Sequence, residues 1–214
     1  MAKAVFVIGM QRNGTSILAR LVGMAGGVGR QFHPCPRHDI PLMAELASDL
    51  PKEHQPWTSL LRQHVRRERA RWALAKVALP FAAESFGWPV LAKGFPDAAF
   101  VFSVRDTLEA EASWRDGLPY LAAYGAQNRI TTMAYFEWAV AQRNLIEGFT
   151  ARSPDRCVVV RYEEMVLAPL PTLAPVWRLL GTEAPKGLEK WIHKPKHWNL
   201  SRPGASRSCA PARA

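Results

Sequence analysis

A three-layer α/β fold, with a mostly parallel central sheet flanked by helices, is what this sequence predicts, and three observations carry the prediction. Four short runs rich in Val, Phe and Ile lack polar alternation: residues 4–8 (AVFVI), 89–92 (PVLA), 99–104 (AFVFSV) and 156–161 (RCVVVR). Runs of that kind suit strands buried on both faces of a parallel sheet. Helical stretches alternate with them, predicted at 15–25, 58–78, 107–115, 129–150 and 171–180, and such alternation is the signature of the layered α/β class. Third, a glycine-framed turn, GMQRNGTS at 9–16, joins the first strand to the first helix.

The whole chain sets bounds on this reading. Its 214 residues suit one domain with a sizeable core, predicted to cover 1–200, with 201–214 as a disordered basic tail. Apolar residues at 48% and charged residues at 21% are ordinary, but the net charge of +10 is not. A surplus of that size fits either an anionic partner or a generally basic surface. Three scattered cysteines, Cys35, Cys157 and Cys209, make neither a disulfide framework nor a zinc cluster. No apolar run approaches the roughly 20 residues that span a bilayer, and the N-terminal run leads into the loop glycines, as a buried strand does. A cytoplasmic protein is expected, with no membrane partner.

In chain order, AVFVI supplies the first strand and GMQRNGTS the frame of a phosphate-binding P-loop. The usual pattern ends G-K-[ST], its lysine reaching the terminal phosphates and its hydroxyl holding magnesium. Here Thr15 stands at the lysine position and Arg12 comes three residues earlier. Backbone N–H groups and the helix dipole already favour an anion at such a turn. Arg12 adds forked donors, and Thr15 and Ser16 add hydroxyls.

Residues 26–57, with several prolines and His33, His38 and His54, look like an excursion over the C-terminal edge of the sheet, where ligands bind in open α/β folds. The 58–78 segment carries Arg62, Arg66, Arg67, Arg69, Arg71 and Lys76; it reads as a solvated helix face, or its arginines line an anion channel. After AFVFSV comes R-D-T-L-E-A-E-A-S-W, with Arg105 at the strand end and Ser113 on the next helix. These two suit a second phosphate, or Arg105 and Asp106 form an ordinary surface pair; Asp106 is a natural helix N-cap.

Taken together these residues carry a family resemblance. The first loop resembles the 5′-phosphosulfate loop of sulfotransferases that use 3′-phosphoadenosine 5′-phosphosulfate (PAPS). That loop runs basic residue, small polar residue, Gly and two hydroxyls, here Arg12, Asn13, Gly14, Thr15 and Ser16, with Gln11 leading in. The Arg105–Ser113 spacing is similar to that family's 3′-phosphate motif. C-V-V-V-R-Y-E-E-M-V-L-A-P-L at 157–170, with Tyr162, resembles the segment near the adenine.

The resemblance implies a P-loop fold, PAPS as donor, adenosine 3′,5′-bisphosphate (PAP) as product, no metal, and in-line sulfuryl transfer to a hydroxyl or amine. A small-molecule or carbohydrate acceptor is implied, and nucleic acid is not the expected partner. For the base, relatives point to a His or Glu near the acceptor, here His33, His38, Asp39 or Glu45, with His38 first and Asp39 next. Lys93, in V-L-A-K-G-F-P, resembles the lysine that lies near the transferred group, or it simply ends a strand.

Two departures stand out. Gly94 and Phe95 replace the polar residues that follow that lysine in the family. Only eleven residues, 94–104, also separate Lys93 from Arg105, whereas a parallel crossover needs a dozen or more, so PVLA and AFVFSV either form a hairpin or one leaves the sheet. K-P-K-H-W-N at 194–199 resembles a shortened nucleotide-covering segment, with Lys196, His197 and Trp198. Trp57 stacks on adenine or sits in the core. Two other functions stay open on the residues alone: a P-loop kinase with a degenerate loop, which Thr15 disfavours, and an inert nucleotide-binding module.

Overall fold

A computed structural model describes residues 1–29, 61–79, 88–116, 132–188 and 192. Among these residues four strands form one all-parallel sheet: β1 (Lys3–Met10), β2 (Trp72–Leu79), β3 (Ala99–Val104) and β4 (Cys157–Arg161), in the order β2-β1-β3-β4. Between and after them run α1 (Thr15–Gly23), α2 (Pro89–Gly94), α3 (Thr107–Asp116), α4 (Thr132–Arg152), α5 (Tyr162–Leu167) and α6 (Pro169–Leu180). The α/β class with a parallel sheet is therefore as expected.

The strand pattern has a direct physical cause. Successive side chains of a strand point to opposite faces, and here both faces are cores. Phe6, Ile8, Phe100 and Phe102 pack with Trp88, Leu91 and Ile146 on one side. Val5, Val7 and Val101 pack with Leu18, Leu21, Val176 and Trp177 on the other. Along the central strands β1 and β3 almost nothing polar alternates because neither face meets water. On the first side the rings interlock: Trp88 meets Phe102 edge-on at 4.9 Å and Phe149 at 4.8 Å between centroids. Burying one such ring completely stabilises by about 1.5–3 kcal/mol.

Two expected elements are corrected. The predicted 58–78 helix is helical only at 61–67 among its described residues, and its second half is strand β2. The Glu68 carboxylate ends the helix by accepting from the N–H groups of Arg69 and Ala70 at 2.8 and 2.9 Å. The chain then enters the sheet in register with β1, from Lys3↔Trp72 to Met10↔Leu79. The Trp72 indole N–H fixes the strand start by donating to the Leu180 carbonyl at 2.8 Å.

The predicted strand at 89–92 is instead helix α2, with Pro89 in its first turn, where a missing N–H costs nothing. This removes the crossover difficulty. The strand before β3 is β2, and residues 80–98 between them exceed the dozen that a parallel crossover needs. Both the hairpin and the short crossover disappear. The excursion beyond Gly29, the segment at 194–199 and the tail at 201–214 lie outside the described residues.

Candidate functional site

The loop between β1 and α1 lies at the C-terminal edge of the sheet, and its shape follows from two left-handed residues. Arg12 has φ 67° and Gly14 has φ 82°. Gly14 is obligatory twice over: its φ is strained for any L side chain, and a Cβ there would run into the Tyr162 ring. Gly9 is required by close approach, since a Cβ would come within 2.6 Å of the Ser103 carbonyl. Successive N–H groups in such a turn, continued into a helix N-terminus, form a concave anion cradle.

Distant elements hold the cradle open. The Asn13 amide donates to the Ser103 carbonyl at 3.3 Å, and the Ser103 hydroxyl donates back to the Asn13 carbonyl. From α4, the buried Tyr135 hydroxyl donates to the Gln11 carbonyl at 3.2 Å. Burial pushes the Tyr135 phenol well above its ordinary value; the Arg105 charge opposes this, Glu111 adds to it and Arg12 opposes it. Tyr135 therefore stays a donor throughout the neutral range.

Three cations converge on the loop. Arg105, just beyond β3, donates from Nη1 to the Arg12 carbonyl at 3.1 Å and lies 4.6 Å over the Tyr162 ring. Arg12 Nε donates to the Ser113 hydroxyl at 3.1 Å. Lys76 Nζ, from β2, donates to the Ser16 hydroxyl at 3.1 Å. The neighbouring turn is tied down as well. Asp106 caps α3 by accepting from the Glu109 N–H at 3.0 Å, and its own N–H donates to Glu163 at 2.8 Å. No group of three or more metal-ligating side chains occurs among the described residues.

A family model described as the Sulfotransferase family matches residues 79–186. The chain belongs to the sulfotransferase family. No curated protein matches the sequence. Among solved structures, the fold is similar to that of a sulfotransferase from Alicyclobacillus acidocaldarius, at 12% identity and TM-score 0.59, covering 86% of this chain and 83% of that one. It is similar to the sulfotransferase domain of the Synechococcus PCC 7002 olefin synthase, at 15% identity and TM-score 0.57, covering 94% and 82%. Mouse sulfotransferase SULT7A1, solved in complex with PAP, matches at 15% identity and TM-score 0.53, covering 89% of this chain and 65% of that one. At these identities the likeness is one of fold.

Within this sulfotransferase, Gln11, Arg12, Asn13, Gly14, Thr15, Ser16, Arg105, Ser113 and Tyr162 are gathered at one sheet edge. They are not all alike. Asn13 and Thr15 are buried, at 8% and 5% exposure, and the Asn13 amide is spent on Ser103, so both shape the loop from within. Arg12 and Ser16 are exposed.

Lys93 is not brought to the loop. It lies in the last turn of α2, and Phe95 and Ala98 just after it accept from Arg156 at the start of β4. That is the N-terminal edge of the sheet, a strand length or about 20 Å from the loop. The residue that sequence reasoning named but placed on a helix, away from the loop, is Lys76. It alternates with Trp72 and Leu74 on the face of β2 that packs against α1, which is why it meets Ser16. His33, His38, Asp39, Glu45, Trp57, Lys196, His197 and Trp198 lie outside the described residues.

Proposed function

We propose that the protein transfers the sulfuryl group of PAPS to a hydroxyl or amine of a small-molecule or carbohydrate acceptor and releases PAP. The observation that carries this reading is the contact of Lys76 with Ser16. Ser16 stands where a P-loop nucleotidase keeps its magnesium-holding hydroxyl. An ammonium 3.1 Å away repels a divalent cation from that oxygen and supplies, from β2, the charge that Thr15 withholds. The loop suits a terminal anion held by protein cations and N–H groups. The kinase alternative loses ground accordingly.

In this reading the donor supplies an activated sulfuryl group, and the chain's own residues position it and carry charge. The cradle N–H groups, Arg12 and Lys76 would hold the 5′-phosphosulfate and stabilise charge gathering on the bridging oxygen as the S–O bond breaks. A bond forms between sulfur and the acceptor oxygen or nitrogen, whose proton passes to a base. His38, then Asp39, are proposed for that base. Arg105 and Ser113 would hold the 3′-phosphate. Tyr162 stacks under the Arg105 guanidinium and keeps it at the sheet edge, and Lys196 is proposed to close over the nucleotide.

Thermal melting with PAP and with ADP, each with a chelator present, tests the donor. PAP should raise the melting temperature more than ADP does, and the chelator should leave the shift intact. Ligand at ~100 times its dissociation constant stabilises by about 2.7 kcal/mol. In Arg105→Ala, PAP binding should weaken by roughly 1.5–3 kcal/mol, by more than ADP binding does. Equal shifts for PAP and ADP in the wild type would remove the 3′-phosphate site and the reading with it.

A further inference from the structure

We propose that Gln142 positions the Arg105 guanidinium through one buried water, and that this link sharpens the preference for a nucleotide bearing a 3′-phosphate. The second clause rests on the donor reading above. Gln142 is on α4, 5% exposed, and distant in sequence from the loop. Its Oε1 is buried and meets no hydrogen-bond partner among the described residues, and the same holds for Nε of Arg105. Buried polar atoms of that kind are rare and are satisfied by water where the space is polar and large enough.

Here it is both. A cavity of about 20 Å³ lies behind the loop, and Ser103, Arg105, Thr107, Tyr135, Gln142 and Arg143 are among its walls. One water needs ~10–15 Å³ and two to four polar partners. The water would accept from Arg105 Nε–H and donate to Gln142 Oε1, leaving its second proton for another wall oxygen. Thr107, whose hydroxyl accepts from Arg143 at 3.3 Å, supplies one such oxygen.

The consequence lies in what remains of the guanidinium. Nη1 is committed to the Arg12 carbonyl, one face rests on Tyr162, and Nε would be held by the water. Nη2 carries no hydrogen bond among the described residues and is the edge left for an anion. Without the Nε contact the fork is held by Nη1 and the ring face alone and can pivot about that bond, and the strength of a forked donor lies in its fixed direction.

Two measurements test this independently. In a high-resolution crystal structure, a water should bond both Arg105 Nε and Gln142 Oε1; a dry cavity, or Nε bonded elsewhere, overturns the link whatever the nucleotide preference. Calorimetry on the wild type and on Gln142→Met, which keeps side-chain length without polar atoms, reads the consequence. The PAP-over-ADP preference should shrink about 3–10-fold, the worth of one net hydrogen bond, with ADP affinity unchanged. A structural defect would instead weaken both ligands together. Wild-type preference in a folded Gln142→Met overturns the specificity role. If Gln142→Met does not fold, Ala110→Val, which crowds the same cavity and leaves Gln142 in place, must produce the same selective loss. A wild type with no preference for PAP defeats the donor reading, and the crystal structure still decides the water link.

Discussion

Lys76 and Lys93 both follow the same two residues: Leu74-Ala75-Lys76 and Leu91-Ala92-Lys93. Only one reaches the loop, and the difference is testable. Lys76→Met should lower kcat about 10²–10³-fold, the usual cost of one preorganised donor, with a smaller effect on PAP affinity. Lys93→Met should leave kcat at the wild-type value. Transfer to a panel of hydroxyl and amine acceptors measures both, and a Lys76 variant at full rate would return the role to another cation.

Tyr135 offers a pH test at the same scale. A phenol whose folded pKa is raised contributes stability that is fully present below its unfolded value and fades as pH climbs through the interval up to the folded value. For Tyr135 that interval opens at the ordinary value of 10.0. Tyr135→Phe should cost about 1 kcal/mol at neutral pH through the bond to Gln11, and its deficit should narrow above pH ~10. A deficit constant across that range would contradict the pKa shift.

At the scale of the element, β2 shows where the sequence misleads and why. The loop and the R-D turn were legible because their chemistry is contiguous: glycines, hydroxyls and an arginine within eight positions fix the local geometry. WALAKVAL is different. Alanine favours a helix, the arginines before it suit a solvated helical face, and a short apolar run satisfies both periods. What makes it a strand is the β1 edge, which no local pattern displays. Gln142 was illegible for the same reason, since the cavity it lines is completed by β3 and the R-D turn, which are distant in sequence. PVLA failed in the opposite direction, because its proline begins a helix turn as readily as it borders a strand. Glu68 marks the helix-to-strand junction, and Glu68→Ala should cost about 0.5–1.5 kcal/mol, chiefly through the half-buried Ala70 N–H. Urea unfolding would show this as a lower midpoint, and an unchanged midpoint would mean that water replaces the carboxylate.

At the scale of the molecule, the net charge of +10 joins the loop to its surroundings. Arg62, Arg66, Arg67 and Arg69 are exposed ahead of β2, and Arg12, Lys76 and Arg105 converge on the cradle. A multiply charged anion is drawn by the whole field as well as by its contacts. PAP affinity should therefore fall steeply between 0.01 and 0.1 M salt, where the screening length shrinks from about 30 to 10 Å, and more gently beyond. A salt-independent affinity would assign the binding to contacts alone.

The bonds that hold the loop span 60, 90, 93, 101 and 124 positions of the chain. Closing such spans costs chain entropy before any contact repays it, which predicts a cradle completed after the folding barrier. A cradle assembled after the folding barrier is absent from the transition state, and an anion seated in it cannot hasten folding. It can only hold the door shut: a bound anion lengthens the lifetime of the native state and leaves the rate of its formation untouched.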